Sequence, residues 1–360
     1  MLARTSSLFA PAGAALPAAI FDLAPLLQDM HARYGPVISF RLARTLVFVA
    51  DRRLTHRALV QGVATFADRP PPVDPASLFS AGGRDVSSSP YGAYWCLVRR
   101  NLTGEALQPA RLALFAPARR WACDGLVASL RARAGGGDDG KAAVVTLRPF
   151  LRRAMFELLV YMCFGALRVP DPDEGDRPLT DTEMVSLCSE ILNGGTDTTV
   201  TLVEWIMAEL VNHPDVQAKV HDEVKSNDGG DMQAMPYLKA VWTAAREFRP
   251  ERFLDGGEGY GVDMTGSREI KMMPFGAGRR MCPGYAVGMH HAEYLVARMV
   301  RDREWRPAVD MAEALDFTVV MKHPLRARIS ARKISQTYVR VANWYCTCTR
   351  IIGIPMPPST

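Results

Sequence analysis

Helical periodicity dominates the pattern of apolar and polar positions along the chain. Apolar residues recur every three or four positions over 182–212, which predicts a long central helix of about eight turns. The same period predicts further helices over 51–60, 112–132, 151–164 and 213–225, and the strongly apolar helix 151–164 is assigned to the core. We therefore predict a mainly α-helical fold.

Runs with strand character are few and short. Residues 37–42 and 46–49 flank a polar turn and predict a β-hairpin, and residues 317–321 and 325–329 predict two further strands. The proline- and aspartate-rich run 167–179 predicts an exposed loop. The sequence thus predicts a small β region beside the helices.

The segment 274–284 fits neither period, because three glycines and two prolines fall within its eleven positions. It predicts a tight loop that presents Cys282 in a fixed place. Pro283 suits the first position of a helix, and apolar positions then recur at helical spacing, so a helix is predicted to begin directly after the cysteine. The helix N-terminus and the adjacent Arg279 and Arg280 predict that the pKa of the thiol is lowered.

A thiolate held in this way has several chemical uses. It could be a nucleophile, a zinc ligand, a haem ligand or a buried cysteine. A nucleophile needs a basic partner and zinc needs about three more N or S ligands, yet the nearby candidates are His290 and His291 on the following helix. Those two residues complete neither arrangement.

The middle of the long helix, residues 193–199, has a composition that weakens a helix. It contains two glycines, each costing up to about 1 kcal/mol relative to alanine, and three threonines that can bond back to the preceding turn. Glycines admit a flat partner against the backbone, and threonine hydroxyls can hold a water beside Asp197. N-capping by Asp197 is the alternative, but the helical period continues on both sides of it.

Composition and charge narrow the class of protein. The chain has 360 residues, 48% of them hydrophobic and 22% charged, which is typical of a globular protein. A net charge of +5 is smaller than is typical of nucleic-acid-binding proteins of this length, so no nucleic-acid partner is expected. The seven cysteines are odd in number and do not have the spacing of a disulfide framework. They therefore predict a reducing compartment and no disulfides.

The spacing Phe275-x-x-Gly278-x-Arg280-x-Cys282-x-Gly284 resembles the signature of the haem-thiolate monooxygenases, the cytochrome P450 superfamily. Within it the chain looks most like the plant microsomal families numbered 89 and 77. The resemblance implies that Cys282 is the proximal iron ligand and that Arg280 faces a haem propionate. It also implies that the glycines let the backbone pass close to the macrocycle.

Two further motifs carry the same resemblance. Trp95 and Arg99, four residues apart on one helix face, would alone indicate a buried tryptophan beside a surface arginine. They are similar to the family's W-x-x-x-R motif, in which both side chains reach a propionate. Gly195, Asp197 and Thr198 resemble the A/G-G-x-D/E-T-T/S motif. There Asp197 would be the acid and Thr198 the alcohol of the oxygen-activation groove.

The resemblance implies a mainly α, single-domain cytochrome P450 fold over 31–329, shortened internally. Residues 1–30 would form an N-terminal segment without a membrane anchor, and residues 330–360 a tail outside the resemblance. The implied activity is monooxygenation of a small, lipophilic organic substrate by O₂. It would use haem b with an axial thiolate, and electrons from an NADPH-dependent cytochrome reductase. The implied location is the cytosolic face of the endoplasmic reticulum, with the cytoplasm as the alternative for a chain lacking an anchor.

The chain departs from the family pattern near 166–167 and again after 241. Residues 235–241 resemble the start of the family's Glu-x-x-Arg helix. The sequence then passes directly into residues 242–253, which resemble the family's segment named PERF after its residues Pro250–Phe253. The Glu-x-x-Arg spacing from Glu174 to Arg177 lies in a predicted loop and is interpreted as a coincidence.

Because that pair is missing, Arg252 of the PERF segment must reach solvent or another carboxylate. Leaving it buried and unmatched would cost about 3–5 kcal/mol. Three alternative functions therefore stay open: a truncated haem-binding protein without turnover, a product that does not fold, and a redox-sensing thiol protein that uses Cys282.

Overall fold

The computed structural model of the protein describes residues 24–41, 45–62, 64–71, 83–135, 143–166, 181–227, 235–243, 248–306, 310–315 and 318–331. Most of these residues are helical, which confirms the predicted mainly α fold. The pair Glu174 and Arg177 lies outside the described residues.

The helices follow one another along the whole described chain. They are α1 (Ala24–Tyr34), α2 (Arg52–His56, continued as a π-helix by Arg57–Gln61), α3 (Ala93–Asn101), α4 (Ala116–Gly135), α5 (Arg148–Ala166), α6 (Asp181–Asn212), α7 (Pro214–Ser226), α8 (Pro236–Thr243) and α9 (Tyr285–Asp302). Short π or 3₁₀ turns cover Leu102–Ala106, Pro109–Ala113, Pro250–Phe253 and Gly278–Arg280.

The strands form three small antiparallel sheets. They are β1 (Val37–Arg41), β2 (Thr45–Val49), β3 (Ala143–Thr146), β4 (Arg303–Arg306), β5 (Glu313–Leu315), β6 (Val319–Met321) and β7 (Arg326–Ala331). The strand orders are β1-β2, β3-β7-β4 and β5-β6. The predicted hairpin pairs Val37 with Val49. The strands β3, β4 and β5 were not predicted.

Helices α4 to α9 pack around one large hydrophobic core, to which β3, β4, β6 and β7 also contribute buried residues. Helix α6 begins within one residue of its predicted start and ends where predicted. A buried carboxylate ties the core together: Glu204 is 0% exposed, and it accepts hydrogen bonds from Arg148 at 2.8 Å and from the Leu325 N–H at 2.7 Å. Its charge is therefore satisfied inside the core.

A second, smaller hydrophobic cluster lies under the turn formed by residues 83–91. Val86, Val98 and Leu102 are buried there, and Leu187 and Ile191 of α6 pack against them. This cluster places the turn between α3 and the first half of α6.

The PERF segment, Pro250–Phe253, has charged and polar partners of its own. The guanidinium of Arg252 lies 2.5 Å from the carboxylate of Glu258, so Arg252 reaches another carboxylate, one of the two outcomes predicted. Its neighbour Glu251 accepts from Lys219 at 2.7 Å and from the Tyr237 hydroxyl at 2.8 Å, which ties α7 to α8. The ammonium of Lys219, with further hydrogen-bond donors, lowers the pKa of Glu251 to about 2.

Among the described residues, none of the helices is both long enough and apolar enough to cross a membrane.

Candidate functional site

The loop before α9 is fixed by its backbone. Gly276 and Gly278 have φ angles of 71° and 70°, in the left-handed region that favours glycine. A Cβ at Gly278 would also collide with the carbonyl oxygen of Leu59. The Cys282 N–H donates to the carbonyl of Phe275 at 2.8 Å, which closes the loop and sets the direction of the cysteine.

Helix α9 begins at Tyr285, with Gly284 as its N-cap. The prediction that Pro283 is the first helical residue was therefore wrong by two positions, because Pro283 and Gly284 form a turn ahead of the helix. The half-buried thiol of Cys282 lies at this turn, where the N–H of Gly284 donates to it. The sulfur therefore lies in the turn just before the helix N-terminus, and it accepts a hydrogen bond from the N-cap residue Gly284.

The predicted lowering of the thiol pKa was wrong. Burial raises the pKa of Cys282, and this outweighs the opposing effects of the Gly284 N–H and of the Arg99 guanidinium. The cation that acts on the sulfur is Arg99 of α3, whereas the neighbouring Arg279 is exposed. Without a metal ion, the thiol therefore favours its protonated form.

Arg280 binds three backbone carbonyls. Its Nε donates to Ala67 at 2.7 Å, its Nη1 to Val86 at 3.0 Å and its Nη2 to Ser89 at 2.6 Å. Its guanidinium lies 4.5 Å from the centre of the Trp95 ring, within the range of a cation–π contact. Arg280 thus fastens the cysteine loop to the segments on both sides of residues 72–82.

The tryptophan and arginine of α3 bind backbone carbonyls as well. Trp95 is 2% exposed and donates its Nε1–H to the Val86 carbonyl at 2.9 Å. Arg99 donates to the carbonyl of Met281, the residue before the cysteine, and its guanidinium lies 5.8 Å from the Trp95 ring. The structure thus brings Trp95, Arg99 and Arg280 to one side of Cys282.

Phe275 and Gly284, the two remaining residues of the signature, lie close to protein side chains near the loop. The ring of Phe275 lies 6.0 Å from the ring of Tyr285, in the first turn of α9. A Cβ at Gly284 would lie 3.8 Å from the side chain of Leu107, which is ordinary contact. Gly284 is therefore not required there by a close approach of protein atoms.

Residues 193–199 lie inside α6, which runs through them without interruption. Asp197 is therefore not an N-cap. The Thr198 hydroxyl donates to the Gly194 carbonyl at 2.5 Å, the back-bonding expected of threonine in a helix. Apart from the adjacent backbone of its own helix, a Cβ at Gly194 would have no atom of the described residues within 4 Å, whereas a Cβ at Gly195 would lie 2.9 Å from Leu159 of α5. Gly194 thus opens onto space, whereas Gly195 packs against Leu159 of α5.

Asp197 points toward α5. Its carboxylate lies 2.7 Å from the guanidinium of Arg152, and both side chains are more than half exposed. The acid of the motif is therefore in contact with solvent.

Two threonines of this segment were not singled out from the sequence. Thr199 is 5% exposed, and a Cβ at Gly288 of α9 would lie 3.6 Å from its hydroxyl. The Thr196 hydroxyl is buried and has no hydrogen-bond partner among the described residues. Thr199 lies on the buried stripe with Val203 and Ile206, a helical spacing that could have revealed it.

Comparison with known proteins now identifies the class. The cytochrome P450 family model matches residues 22–174, 167–242 and 239–331, and the chain belongs to this family. The protein is a haem-thiolate monooxygenase. The matched segments meet at 167–174 and 239–242, beside the two places where the sequence departs from the family pattern.

Curated relatives agree with this family. The chain is 31% identical to cytochrome P450 89A9 of Arabidopsis thaliana, over 87% of this chain and 89% of the relative. It is 25% identical to 9-beta-pimara-7,15-diene oxidase of Oryza sativa subsp. japonica, over 78% and 80%. A flavonoid 3'-monooxygenase of Arabidopsis thaliana is 29% identical, over 48% and 46%.

The family's cofactor is haem, and the residues near Cys282 fit it. Haem iron takes its equatorial ligands from the macrocycle and needs one axial side chain from the protein, which a single thiol can supply. A zinc site would need about three further ligands, and the described residues contain no group of three or more His, Cys, Asp or Glu side chains that could hold a metal ion. The site thus suits haem better than zinc.

Proposed function

We propose that the protein inserts one oxygen atom of O₂ into a small, lipophilic organic substrate, while the other oxygen atom leaves as water. Electrons come from NADPH through a flavoprotein cytochrome reductase. One observation supports this proposal above others. The thiol of Cys282 lies at the start of α9, and the glycine- and threonine-rich segment of α6 packs against the same helix, where Thr199 meets Gly288.

Cys282 is the axial ligand in this proposal. Because burial favours the neutral thiol, the proton must leave when the sulfur binds iron, and the charge that remains faces the Gly284 N–H and the Arg99 guanidinium. Bound haem with a thiolate ligand supplies electron density that favours O–O cleavage. The protein's part is to hold the sulfur in one position and to stabilise its charge.

Trp95, Arg99 and Arg280 are proposed to hold the haem carboxylates. Arg99 and Arg280 supply cationic N–H groups on the cysteine side of the site, and the Trp95 ring packs beside both of them. Their present acceptors are neutral carbonyls, and a charge-assisted hydrogen bond to a carboxylate is the stronger bond. Arg280 uses three of its five N–H donors for carbonyls, so a carboxylate can bind the remaining N–H groups while the bond to Val86 is kept.

Asp197 and Thr198 are proposed to deliver protons to the reaction. Asp197 contacts solvent beside Arg152, and Thr198 lies one residue further along α6 with its hydroxyl bonded to the Gly194 carbonyl. A hydroxyl both accepts and donates a proton, so Thr198 can pass one inward from water near Asp197. The buried hydroxyl of Thr196 offers a further polar group for such a water.

The partners follow from the family. The curated relatives include oxidases and monooxygenases of organic compounds, which supports a small organic substrate for this chain. We assign the protein to the cytosolic face of the endoplasmic reticulum, where the NADPH-dependent reductase would meet it.

The test is reconstitution of the purified protein with haem and an NADPH-dependent cytochrome reductase. We expect NADPH oxidation that depends on the reductase and is stimulated by lipophilic compounds, with one ¹⁸O atom from ¹⁸O₂ in the product. A haem spectrum without NADPH oxidation would instead identify a haem-binding protein without turnover.

A redox-sensing role for Cys282 is less well supported. Sensor cysteines have a low pKa and are accessible to the oxidant, whereas Cys282 is half-buried and its pKa is raised.

A further inference from the structure

One residue, Val86, connects both polar sides of the site through its two backbone groups. Its N–H donates to the Glu190 Oε2 on α6 at 2.7 Å. Its carbonyl accepts from Trp95 Nε1 at 2.9 Å and from Arg280 Nη1 at 3.0 Å. Helix α6, helix α3 and the cysteine loop therefore meet at a single residue of the turn 83–91.

Glu190 uses both carboxylate oxygens to hold this turn. Besides the Val86 N–H at Oε2, its Oε1 accepts from the Ser87 N–H at 2.9 Å. Two consecutive backbone donors on one carboxylate fix both the position and the direction of the peptide. Glu190 also lies four and eight residues before Gly194 and Thr198, on the same face of α6.

The environment of this carboxylate disfavours its charge. Burial, together with the nearby charge of Asp85, raises the pKa of Glu190, although hydrogen bonds from Val86 and Ser87 oppose the shift. The ionised form therefore costs more in desolvation than its donors return. A helix position that breaks the ordinary rule for burial in this way is typical of a functional requirement.

We propose that Glu190 is a positioning residue that couples α6 to the cysteine loop. It holds the backbone N–H groups of Val86 and Ser87, so that the Val86 carbonyl, in the same peptide unit as the Ser87 N–H, keeps Trp95 and Arg280 in place beside Cys282. The effect on haem rests on the proposed function of Cys282, but the coupling through Val86 does not.

The first arm of the test measures the turn directly. Amide hydrogen exchange of the peptide containing Val86 and Ser87 is followed by mass spectrometry in the wild type and in Glu190→Gln, which keeps the side-chain size and one acceptor oxygen. Because the lost acceptor is charged, we expect exchange of these amides to become about tenfold faster or more. Glu157→Gln, which removes an exposed ion pair with Arg153 on α5, should leave this peptide unchanged. Unchanged exchange in Glu190→Gln would overturn the proposal.

The second arm measures the cysteine side. In haem-loaded Glu190→Gln, we expect a smaller fraction of the reduced, CO-bound protein to show the thiolate-type absorption band, at an unchanged haem-to-protein ratio. Glu157→Gln, whose ion pair with Arg153 lies on α5, should match the wild type in this arm as well.

The outcomes of the two arms separate three cases. Faster exchange with an unchanged CO spectrum would reduce Glu190 to a local cap and overturn the coupling. Parallel loss of haem and of the thermal transition would indicate a merely structural role. A wild type without the thiolate-type band would contradict the function proposed for Cys282, and the exchange arm would then decide the role of Glu190.

Discussion

The cysteine loop, residues 274–284, and the segment Gly194–Thr199 of α6 are the two polar regions of the site. They differ in whether their polar groups are hydrogen-bonded within the protein and in how much space surrounds their glycines. In the loop, Arg280 binds three backbone carbonyls, and Gly278 has no room for a side chain. In α6, Gly194 opens onto space, and the hydroxyl of Thr196 has no partner among the described residues.

The difference separates two tasks. A ligand loop must hold one atom in place, so its backbone groups and arginines bind to the protein itself. A segment that handles small molecules and protons must leave space and polar groups available to them. Substitutions in the first region should therefore affect stability and haem content, and those in the second should affect chemistry.

The largest contrast is expected between two glycines. Gly278→Ala forces alanine into a left-handed conformation and against the Leu59 carbonyl, so we expect a loss of at least about 4 kcal/mol in unfolding free energy and of haem uptake. Gly194→Ala meets open space inside a helix and should raise the unfolding free energy by about 0.5–1 kcal/mol. Denaturant unfolding and haem-to-protein ratios check both values. Equal effects of the two substitutions would remove the contrast.

Arg280→Lys should have the next largest effect. A lysine cannot reach three carbonyls in a fixed planar arrangement, so buried acceptors at Ala67, Val86 or Ser89 lose their donor. We expect the unfolding free energy to fall by about 2–4 kcal/mol, measured by denaturant titration. Arg279→Lys, at the exposed neighbouring position, is the control and should change it by less than about 0.5 kcal/mol.

Thr198→Ala should change chemistry with little effect on stability. The hydroxyl makes one back-bond to Gly194, so the unfolding free energy should change by less than about 1 kcal/mol and haem binding should persist. Impaired proton delivery should divert NADPH electrons to hydrogen peroxide, measured as the ratio of peroxide to product.

A threonine with the same local hydrogen bond provides the control for this change. Thr243 donates to the Lys239 carbonyl at 3.0 Å in α8, so Thr243→Ala loses an equivalent bond away from the segment. Its ratio of peroxide to product should stay at the wild-type value. An unchanged ratio in Thr198→Ala would remove Thr198 from the relay.

The smallest effect concerns the protonation of Cys282. Alkylation requires the thiolate, and the raised pKa keeps the thiol protonated at neutral pH, so haem-free protein should react slowly there and faster as pH rises. Arg99→Gln removes the cation that opposes this shift, and alkylation of Cys282 should become slower still. Arg279→Gln should leave the rate unchanged. Peptide mapping of iodoacetamide-treated protein over a pH series measures these rates, and faster reaction of Arg99→Gln would contradict the assignment.

Local patterns could be predicted from the sequence, and contacts between distant segments could not. The bounds of α6 followed from its uninterrupted period, and the first hairpin followed from its turn. Strand β3 was missed because it has four residues and its partner β7 is far along the chain. The start of α9 was placed too early because Pro283 suits a turn as well as a helix.

The same limit applied to the site. The motifs identified Cys282, Trp95, Arg99 and Arg280 as a group, and the structure brings them together. Their acceptors are backbone carbonyls of the segments 67–89 and of Met281, which carry no side-chain signal in the sequence. Glu190 was overlooked for this reason, because its partners are the N–H groups of Val86 and Ser87 in a distant turn.

The most direct measurement of the central claim is the absorption spectrum of the reduced, CO-bound protein in the wild type, in Cys282→Ala and in Cys96→Ala. Cys96 is exposed on α3 and serves as the control cysteine. We predict the thiolate-type band in the wild type and in Cys96→Ala, and its absence in Cys282→Ala. A thiolate-type band that persists in Cys282→Ala would show that another residue binds the iron.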